Sequence, residues 1–534
     1  MFARIRSACY PPACAAVAVL LVTAVPLCAQ NPVAPGPRRR PAASPSAAPA
    51  PTSAPLAGLD AYITRAIHDW EVPGLAIAIV KDDSVVYAKG FGVRELGRAE
   101  PVDEHTVFLA ASTTKAFTVA AMAMLVDSGL VRWDAPVTTY LPGFQLFDPY
   151  VTRELTVRDL MSHRSGLGRA DALWYGTTLS REEILRRLRF ERPSWSLRAQ
   201  YGYNNNMFVA AGQVIAAVTG RSWDDVVRER ILRPLGMART MTSVTALRGM
   251  DDVATPHARY DGRMAPIPWR NVDNIGPAGS INTTARDMAQ WLRFQLARGT
   301  YGGRRLLSDS AFRQMRLPNT PIRPDPAADT LWPEIHLRAY GLGWALNDYR
   351  GRLVVSHGGA LDGMRSQVGL LPEERLGVVL LANSDQASAL LVGLQYRVFD
   401  AYTGGVRRDW SADLLADLLK DRQRETRDSV KQDSARVRGT QPSHALADFA
   451  GRYVDSLYGE MTVAEEGGHL VLRAGTWAVA DLQHWHYDTF RAVWRDRELG
   501  TDFATFVTDA AGKVATLSVK DWATFGRAPA PPAR

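Results

Sequence analysis

Phe108-Leu-Ala-Ala-Ser112-Thr-Thr-Lys115-Ala-Phe-Thr-Val-Ala-Ala-Met-Ala-Met-Leu-Val-Asp127 reads as a helix dominated by alanine and unbranched apolar residues, with Gly129 just past its end as a stop. Ser112 opens it, and Lys115 follows one turn later on the same face. That face continues through Val119, Met122 and Val126, while Phe117, Ala121, Met124 and Leu125 make the other faces apolar too. Such a helix is buried all round. A lysine at its head is partly desolvated, which favours the neutral amine, and a neutral amine can take a proton from a serine hydroxyl. Basic-residue usage sharpens the reading. Of 63 lysines and arginines only seven are lysines, and only Lys115 follows a serine by three. Arginine keeps its proton at any ordinary pH, so a lysine retained here suits a site that needs a removable one. The alternative is a lysine that snorkels to the surface from a core helix. This stretch alone leaves both open.

With 534 residues the chain has room for two or three domains. A net charge of +8 is modest for that length, and no basic run is interleaved with aromatics, so no nucleic-acid partner is expected. Residues 1–29 have the form of a secretory signal: Arg4 and Arg6, an apolar run from Ala13 to Val25, and Ala29 at the cleavage position. The expected location is therefore periplasmic or secreted. Leu27 is larger than such a cleavage site prefers, which keeps an uncleaved anchor or a lipid on Cys28 as alternatives. No later stretch approaches a membrane span. Cys9, Cys14 and Cys28 all lie in the signal, so the mature chain has neither a cysteine nucleophile nor a cysteine metal site.

Residues 30–57 are rich in Pro, Ala and Ser and read as a tether. The body, 58–405, opens with a helix from Leu59 to Trp70. Strands Gly74 to Val80 and Ser84 to Gly90 follow, paired through an Asp-Asp turn. Helices and loops then dominate to about Thr300. Within them Val157 to Leu167 reads as a helix closing on glycine, with His163 more plausible as a C-terminal cap than as a catalytic group. Gln200 to Asn206 is a turn before a helix from Met207 to Val218. Gly276 to Asp287 is a glycine-rich loop without phosphate-loop spacing. Pro318 to Pro333 is a surface excursion. Strands return at Leu353 to Ser356, Ser366 to Leu371 and Leu376 to Ala382, followed by a helix from Ala387 to Tyr402. Strands early and late with helices between predict an α+β fold, an antiparallel sheet closed by both ends of the body and flanked by helices. Residues 406–442 form a charged helical linker, 443–526 a small antiparallel β-barrel and 527–534 a tail. His484 and His486 share a strand face. With no third ligand in view, ordinary strand histidines are favoured over a metal pair.

Beside Ser112 and Lys115 stand Tyr203-Asn204-Asn205 and His357-Gly358-Gly359-Ala360. Each has a bland reading as a core tyrosine, a turn of asparagines or a glycine bend. In this order they resemble the motifs of the serine β-lactamase and penicillin-binding superfamily, in its class C-like branch with DD-peptidase and family VIII esterase relatives. Leu160 to Leu167, Tyr203 to Gly212, Leu232 to Met237, Tyr340 to Trp344 and Leu380 to Asn383 also look like that family, over roughly Leu59 to Thr403. The barrel resembles a lipocalin-like appendage of some members. The resemblance implies a β-lactamase/transpeptidase-like fold with a helical subdomain. It implies Ser112 as acylating nucleophile, Lys115 as its deprotonating partner, and Tyr203 as base and then acid, with a pKa lowered by neighbouring cations. Asn205 would orient Lys115 and the substrate, His357, Gly358 and Gly359 would bind substrate, and the backbone N–H groups of Ser112 and Ala360 would form the oxyanion hole. Neither metal nor organic cofactor is implied.

This chain departs from the Lys-Thr-Gly that most lactamases carry, because His357 and Gly358 replace the fixed cation and the hydroxyl. Penicillin hydrolysis is therefore in doubt, and any such activity is expected to rise toward pH ~6 as His357 protonates. The expected function is an exported serine hydrolase cutting an ester, peptide or β-lactam amide of a small-molecule or peptide substrate. The alternative is a catalytically silent protein that holds cell-wall peptides. The substrate, the role of the barrel and the oligomeric state stay open.

Overall fold

The computed structural model describes residues 55–323, 331–405, 408–520 and 522–529. The signal, all three cysteines, nearly all of the tether, the middle of the proline-rich excursion and the last residues of the tail lie outside them.

The sheet is built around β1, Gly74–Lys81, whose apolar run is buried on both faces. Leu75, Ile77 and Ile79 pack with α1 (Leu59–Asp69) and with the late helix Ser388–Thr403, while Ala76, Ala78 and Val80 face the other core. The alternation of large and small residues therefore sorts two helical layers onto one strand. β2, Ser84–Gly92, pairs with β1 through Asp82 and Asp83. Both turn residues have positive φ (51° and 66°), as a tight hairpin of the mirror-image type needs, and aspartate tolerates that region. After β3 (Thr320–Pro321) and β4 (Arg338–Tyr340) come β5 (Ala345–Tyr349), β6 (Arg352–Leu361), β7 (Met364–Leu371) and β8 (Leu376–Ala382). The antiparallel order is β2-β1-β8-β7-β6-β5-β4-β3, so the first and last parts of the body do close one sheet. Two features differ from the expectation. β3 to β5 extend the sheet by short strands with little alternation, and the strand expected over Leu353 to Ser356 runs on to Leu361, which puts the Gly358-Gly359 pair inside β6.

α2, Thr114–Asp127, is buried from Thr114 to Leu125, and Phe117 stacks on Trp291 at 3.9 Å. Gly129 (φ 73°) follows its end. The helix is shorter at its start than its composition suggests. Phe108–Leu109 is a two-residue strand paired with Asn282–Thr283, and Ala111–Thr113 is a single 3-10 turn. Ala111 is in the left-handed region (φ 47°), which is rare for a residue with a Cβ, so Ser112 sits on a tight turn leading into the helix.

The linker helix Trp410–Ser434 is anchored at one end. Trp410 stacks on Trp332 at 4.7 Å and donates Nε1–H to Asp400 Oδ2 at 2.8 Å, while the later turns face solvent. It leads into a closed barrel of eight strands, from Gly451–Asp455 to Ala523–Arg527. Tyr453, Phe449, Phe490 and Phe506 pack against one another in its interior. The barrel docks on the body. Its Trp477 lies against Gly176, where any Cβ would overlap the indole, and Gly176 also has φ 68°. Gly176→Ala is therefore expected to destabilise the chain by roughly 1–3 kcal/mol through overlap plus backbone strain. Adding Trp477→Ala should remove the overlap and leave only the backbone part. Thermal unfolding of both variants decides, and an equal loss in the two backgrounds would place the strain elsewhere.

Candidate active site

The turn bearing Ser112 is held from two sides. Ala110 N donates to Ile281 O at 2.8 Å, and Ile281 N donates to Thr114 Oγ1 at 3.1 Å. Ser366 Oγ donates to Ala110 O at 2.5 Å, tying the turn to β7. β6 runs beneath it. Pairing of β6 with β5 stops at Ser356, whereas its pairing with β7 continues to Leu361, so residues 357–361 keep one open strand edge beside Ser112. A Cβ on Gly359 would overlap both the Ala110 carbonyl oxygen and Ser366 Oγ. Gly359 is thus explained by the close approach of two backbones, not by a contact with substrate. Gly358 and Ala360 face outward and are exposed.

Lys115 is fully buried (0% exposed), so it does not snorkel. Its Nζ is 2.8 Å from Asn205 Oδ1, 2.9 Å from Ala278 O and 3.1 Å from Ser112 Oγ. Burial holds its pKa well below the ordinary value of 10.5. The nearby Arg169 guanidinium adds to the depression, and Asp171 opposes it. A neutral amine has two N–H groups and one lone pair. In that form the two carbonyl-type oxygens would accept the N–H groups, and the lone pair would be left for the Ser112 hydroxyl, 3.1 Å away. Ala278 O is delivered by the short helix Gly276–Gly279, where Thr118 Oγ1 donates to Pro277 O at 2.6 Å and Gly212 lies so close to Pro277 that a Cβ would overlap its ring.

Tyr203 stands over Lys115, whose Nζ lies 4.8 Å from its ring centroid. Here the structure corrects the expectation of a lowered pKa. Burial pushes the phenol up to about 12, although the Ser112 hydrogen bond and the Arg169 charge pull the other way. Tyr203 is therefore a neutral phenol at rest. Beneath its ring lies His163, with centroids 4.2 Å apart. His163 is not a helix cap. Its backbone has φ 56°, its ring is buried, and its Nδ1 accepts from Asn204 N at 3.1 Å, which sets the backbone of the tyrosine-asparagine turn. Burial keeps it uncharged.

His357 is also buried, and it faces protein. Its Nδ1–H donates to Gly358 O at 2.7 Å, which leaves Nε2 to accept from Tyr340 OH at 2.8 Å. Burial lowers its pKa from 6.5 to about 3. The expected protonation near pH 6 therefore does not occur, and His357 braces β6 against Tyr340 as a neutral ring. His484 and His486 likewise bond to backbone, at Tyr487 O (2.9 Å) and Val437 N (3.3 Å), with a bulge between them.

Ser112 opens into a cavity of about 50 Å³ lined by Trp174, Tyr175, Val272, Ile275 and Leu361 together with Ala360, Arg169, Asp171 and Asn205. The barrel reaches its outer wall. Tyr175 OH donates to Asp362 Oδ2 at 2.5 Å, and Arg270 bridges Asp362 (2.8 Å) to Asp496 of the barrel (2.6 Å).

Residues 59–402 match the Beta-lactamase family model, and residues 435–528 match a domain of unknown function, DUF3471. The chain belongs to the beta-lactamase family. An unguisins hydrolase of Aspergillus campestris is 29% identical over 423 residues, which cover 75% of this chain and 76% of the relative. Penicillin-binding protein 4 of Amycolatopsis lactamdurans is 30% identical over 348 residues, covering 63% and 87%. The octameric penicillin-binding protein homologue from Pyrococcus abyssi shares the fold, with a TM-score of 0.58 over 88% of this chain and 99% of that one at 23% identity.

In this beta-lactamase-family hydrolase the structure gathers Ser112, Lys115, Tyr203, Asn205 and Ala360 at one site, and it assigns His357 and Gly359 to the packing behind that site. Sequence reading missed Arg169, Asp171, the Ala278 carbonyl, Arg270 and Trp477. None has a periodic or spaced signature, since each acts from a loop, from a single turn of helix or across a domain contact. Gly359→Ala is expected to cost roughly 1–3 kcal/mol by overpacking and to displace the Ser112 turn, lowering activity even where the protein stays folded. Unfolding and turnover measured together decide. Unchanged values of both would refute the close-approach account.

Proposed function

We propose that the chain is an exported serine hydrolase that forms an acyl-enzyme on Ser112 and prefers uncharged esters or small peptides to penicillins. Ser112 Oγ attacks the carbonyl carbon while its proton passes to the Lys115 amine. The backbone N–H groups of Ser112 and Ala360 hold the oxyanion, each worth about 3 kcal/mol. As the carbon–leaving-group bond breaks, the Tyr203 hydroxyl gives its proton to the departing oxygen or nitrogen and regains one from Lys115. Water then repeats the sequence and releases the acid. The observation that carries this reading is the fully buried Lys115 Nζ, within hydrogen-bond reach of Ser112 Oγ, Asn205 Oδ1 and Ala278 O and, among the described residues, of no carboxylate.

The preference follows from the third motif. His357 is neutral and buried, and Gly358 offers no hydroxyl, so a substrate carboxylate finds neither partner on β6. One lost hydrogen bond to a charged group is worth about 1.5–3 kcal/mol, roughly tenfold to a hundredfold in affinity. The hydrolase and D-stereospecific amidohydrolase names of similar proteins agree with hydrolysis of an acyl bond. Export rests on the form of residues 1–29.

Intact mass after a fluorophosphonate should show one adduct, on Ser112, absent from Ser112→Ala. Lys115→Arg should be inactive, because the charge is kept and the removable proton is lost. Turnover of p-nitrophenyl acetate and of a D-alanyl peptide with an amidated C-terminus should exceed that of nitrocefin. A wide preference for nitrocefin would overturn the substrate reading, and an active Lys115→Arg the role of the lysine.

The pH profile gives a separate test. Because Lys115 has a depressed pKa, kcat/KM should rise with pH through that depressed value and then stay level until the Tyr203 range near 12. His357, at about 3, adds no limb near 6.5. An inflection there that vanishes in His357→Gln would contradict the neutral histidine.

A further inference from the structure

We propose that Asp171 is the positioning residue of this site, and that its two carboxylate oxygens separately fix the two halves of the proton path. The proposal rests on the serine hydrolase reading above. Asp171 opens the single turn Asp171–Leu173 and is buried to 8% exposure. Its Oδ1 accepts from Trp174 Nε1 at 2.8 Å and from Asn205 Nδ2 at 3.1 Å, and its Oδ2 accepts from Arg169 Nε at 2.6 Å.

The first oxygen governs Lys115. An asparagine amide can present either its oxygen or its NH2 to a neighbour. A carboxylate only accepts, so Asp171 claims the Asn205 NH2 and turns Asn205 Oδ1 toward Lys115 Nζ, 2.8 Å away. Reversal would set NH2 against the amine's own N–H groups and send its lone pair away from Ser112. The second oxygen governs Tyr203. It holds Arg169 so that the guanidinium carbon lies 5.0 Å from the Tyr203 ring centroid. When Tyr203 gives up its proton, a fixed cation is then already in place for the transient phenolate. No other carboxylate bonds to Asn205 or Arg169 among the described residues.

The geometry predicts that asparagine at this position separates the halves. In Asp171→Asn the side-chain oxygen can keep Trp174 and Asn205, but its NH2 then faces the Arg169 N–H group and releases the guanidinium. In Asp171→Ala both halves are released. Fluoride and p-nitrophenolate leave without a proton, whereas an alkoxide or amine needs one. The readout is therefore the ratio of turnover of an ethyl ester to fluorophosphonate labelling of Ser112, together with KM.

Asp171→Asn and Arg169→Gln should each lower that ratio about tenfold or more through kcat, with KM little changed. Asp171→Ala should in addition slow labelling itself at least tenfold. An unchanged ratio in Asp171→Asn, or the same labelling rate in Asp171→Ala as in the wild type, would overturn the proposal. So would an equal loss of labelling and turnover in all three variants with a matching drop in unfolding temperature, which is what a purely structural role gives. Absence of any Ser112 adduct in the wild-type chain is the distinct outcome that would overturn the serine hydrolase reading and, with it, this one.

Discussion

A lysine amine with no exposed surface is the constraint around which the body is arranged. Removing an ammonium from water costs far more than a neutral amine, so burial selects the neutral form. That form in turn dictates its surroundings: two acceptors for its N–H groups and one donor for its lone pair. Asn205, at the head of the helix Asn206–Thr219, supplies the first acceptor, and Ala278, in the one-turn helix wedged beside Gly212, supplies the second. The third partner is Ser112 Oγ, three residues back along the same chain and 3.1 Å from Nζ, where it would meet the lone pair. The all-round apolar surface of α2 follows from the same need. A helix carrying this amine has to be covered on every side, and Phe117 on Trp291 is part of that cover.

The elements most legible in the sequence were those whose pattern is local. The apolar run of β1, the Asp82-Asp83 turn, the late strand Leu376–Ala382 and the helix stopped by Gly220 all announce themselves within a few residues. Ser112 and Lys115 were readable for the same reason, since both lie in one turn of chain. What escaped notice depends on partners far away. The start of α2 is pulled into a strand at Phe108–Leu109 by Asn282–Thr283, a tertiary pairing that overrides good helix propensity. The depth at which Tyr203 and His357 sit decides their charge, and depth is not written in their neighbours. Burial drives the tyrosine up and the histidine down, against the expectation that nearby cations would lower the tyrosine.

The third motif shows how a shared spelling can hide a divided role. Along β6 side chains alternate, so His357 and Gly359 point into the protein while Gly358 and Ala360 face outward. The inward pair is structural. The histidine accepts the Tyr340 hydroxyl, and the glycine lets the strand pass beneath Ala110. The outward pair, with the open edge left where β5 stops, is what a substrate can reach. Histidine in place of lysine therefore removes a charge from the site and adds a brace behind it.

The barrel bears on the same site through one half-buried arginine. Arg270 stands with its guanidinium carbon 4.7 Å from the Tyr175 ring centroid and bridges two carboxylates, one on the turn after β6 and one on the barrel. A buried ion pair is weak grounds for stability, because desolvation offsets much of the Coulomb gain, and its better attested use is to fix one arrangement among several. Here the arrangement it fixes includes Tyr175, which walls the cavity beside Ser112, and Asp362, two residues beyond Ala360. Trp477 against the bare backbone of Gly176 acts in the same direction from the other end of that wall. The contacts that dock the barrel on the body therefore also hold Tyr175, a wall of the cavity of about 50 Å³ at Ser112, and close packing transmits a shift in one to the other.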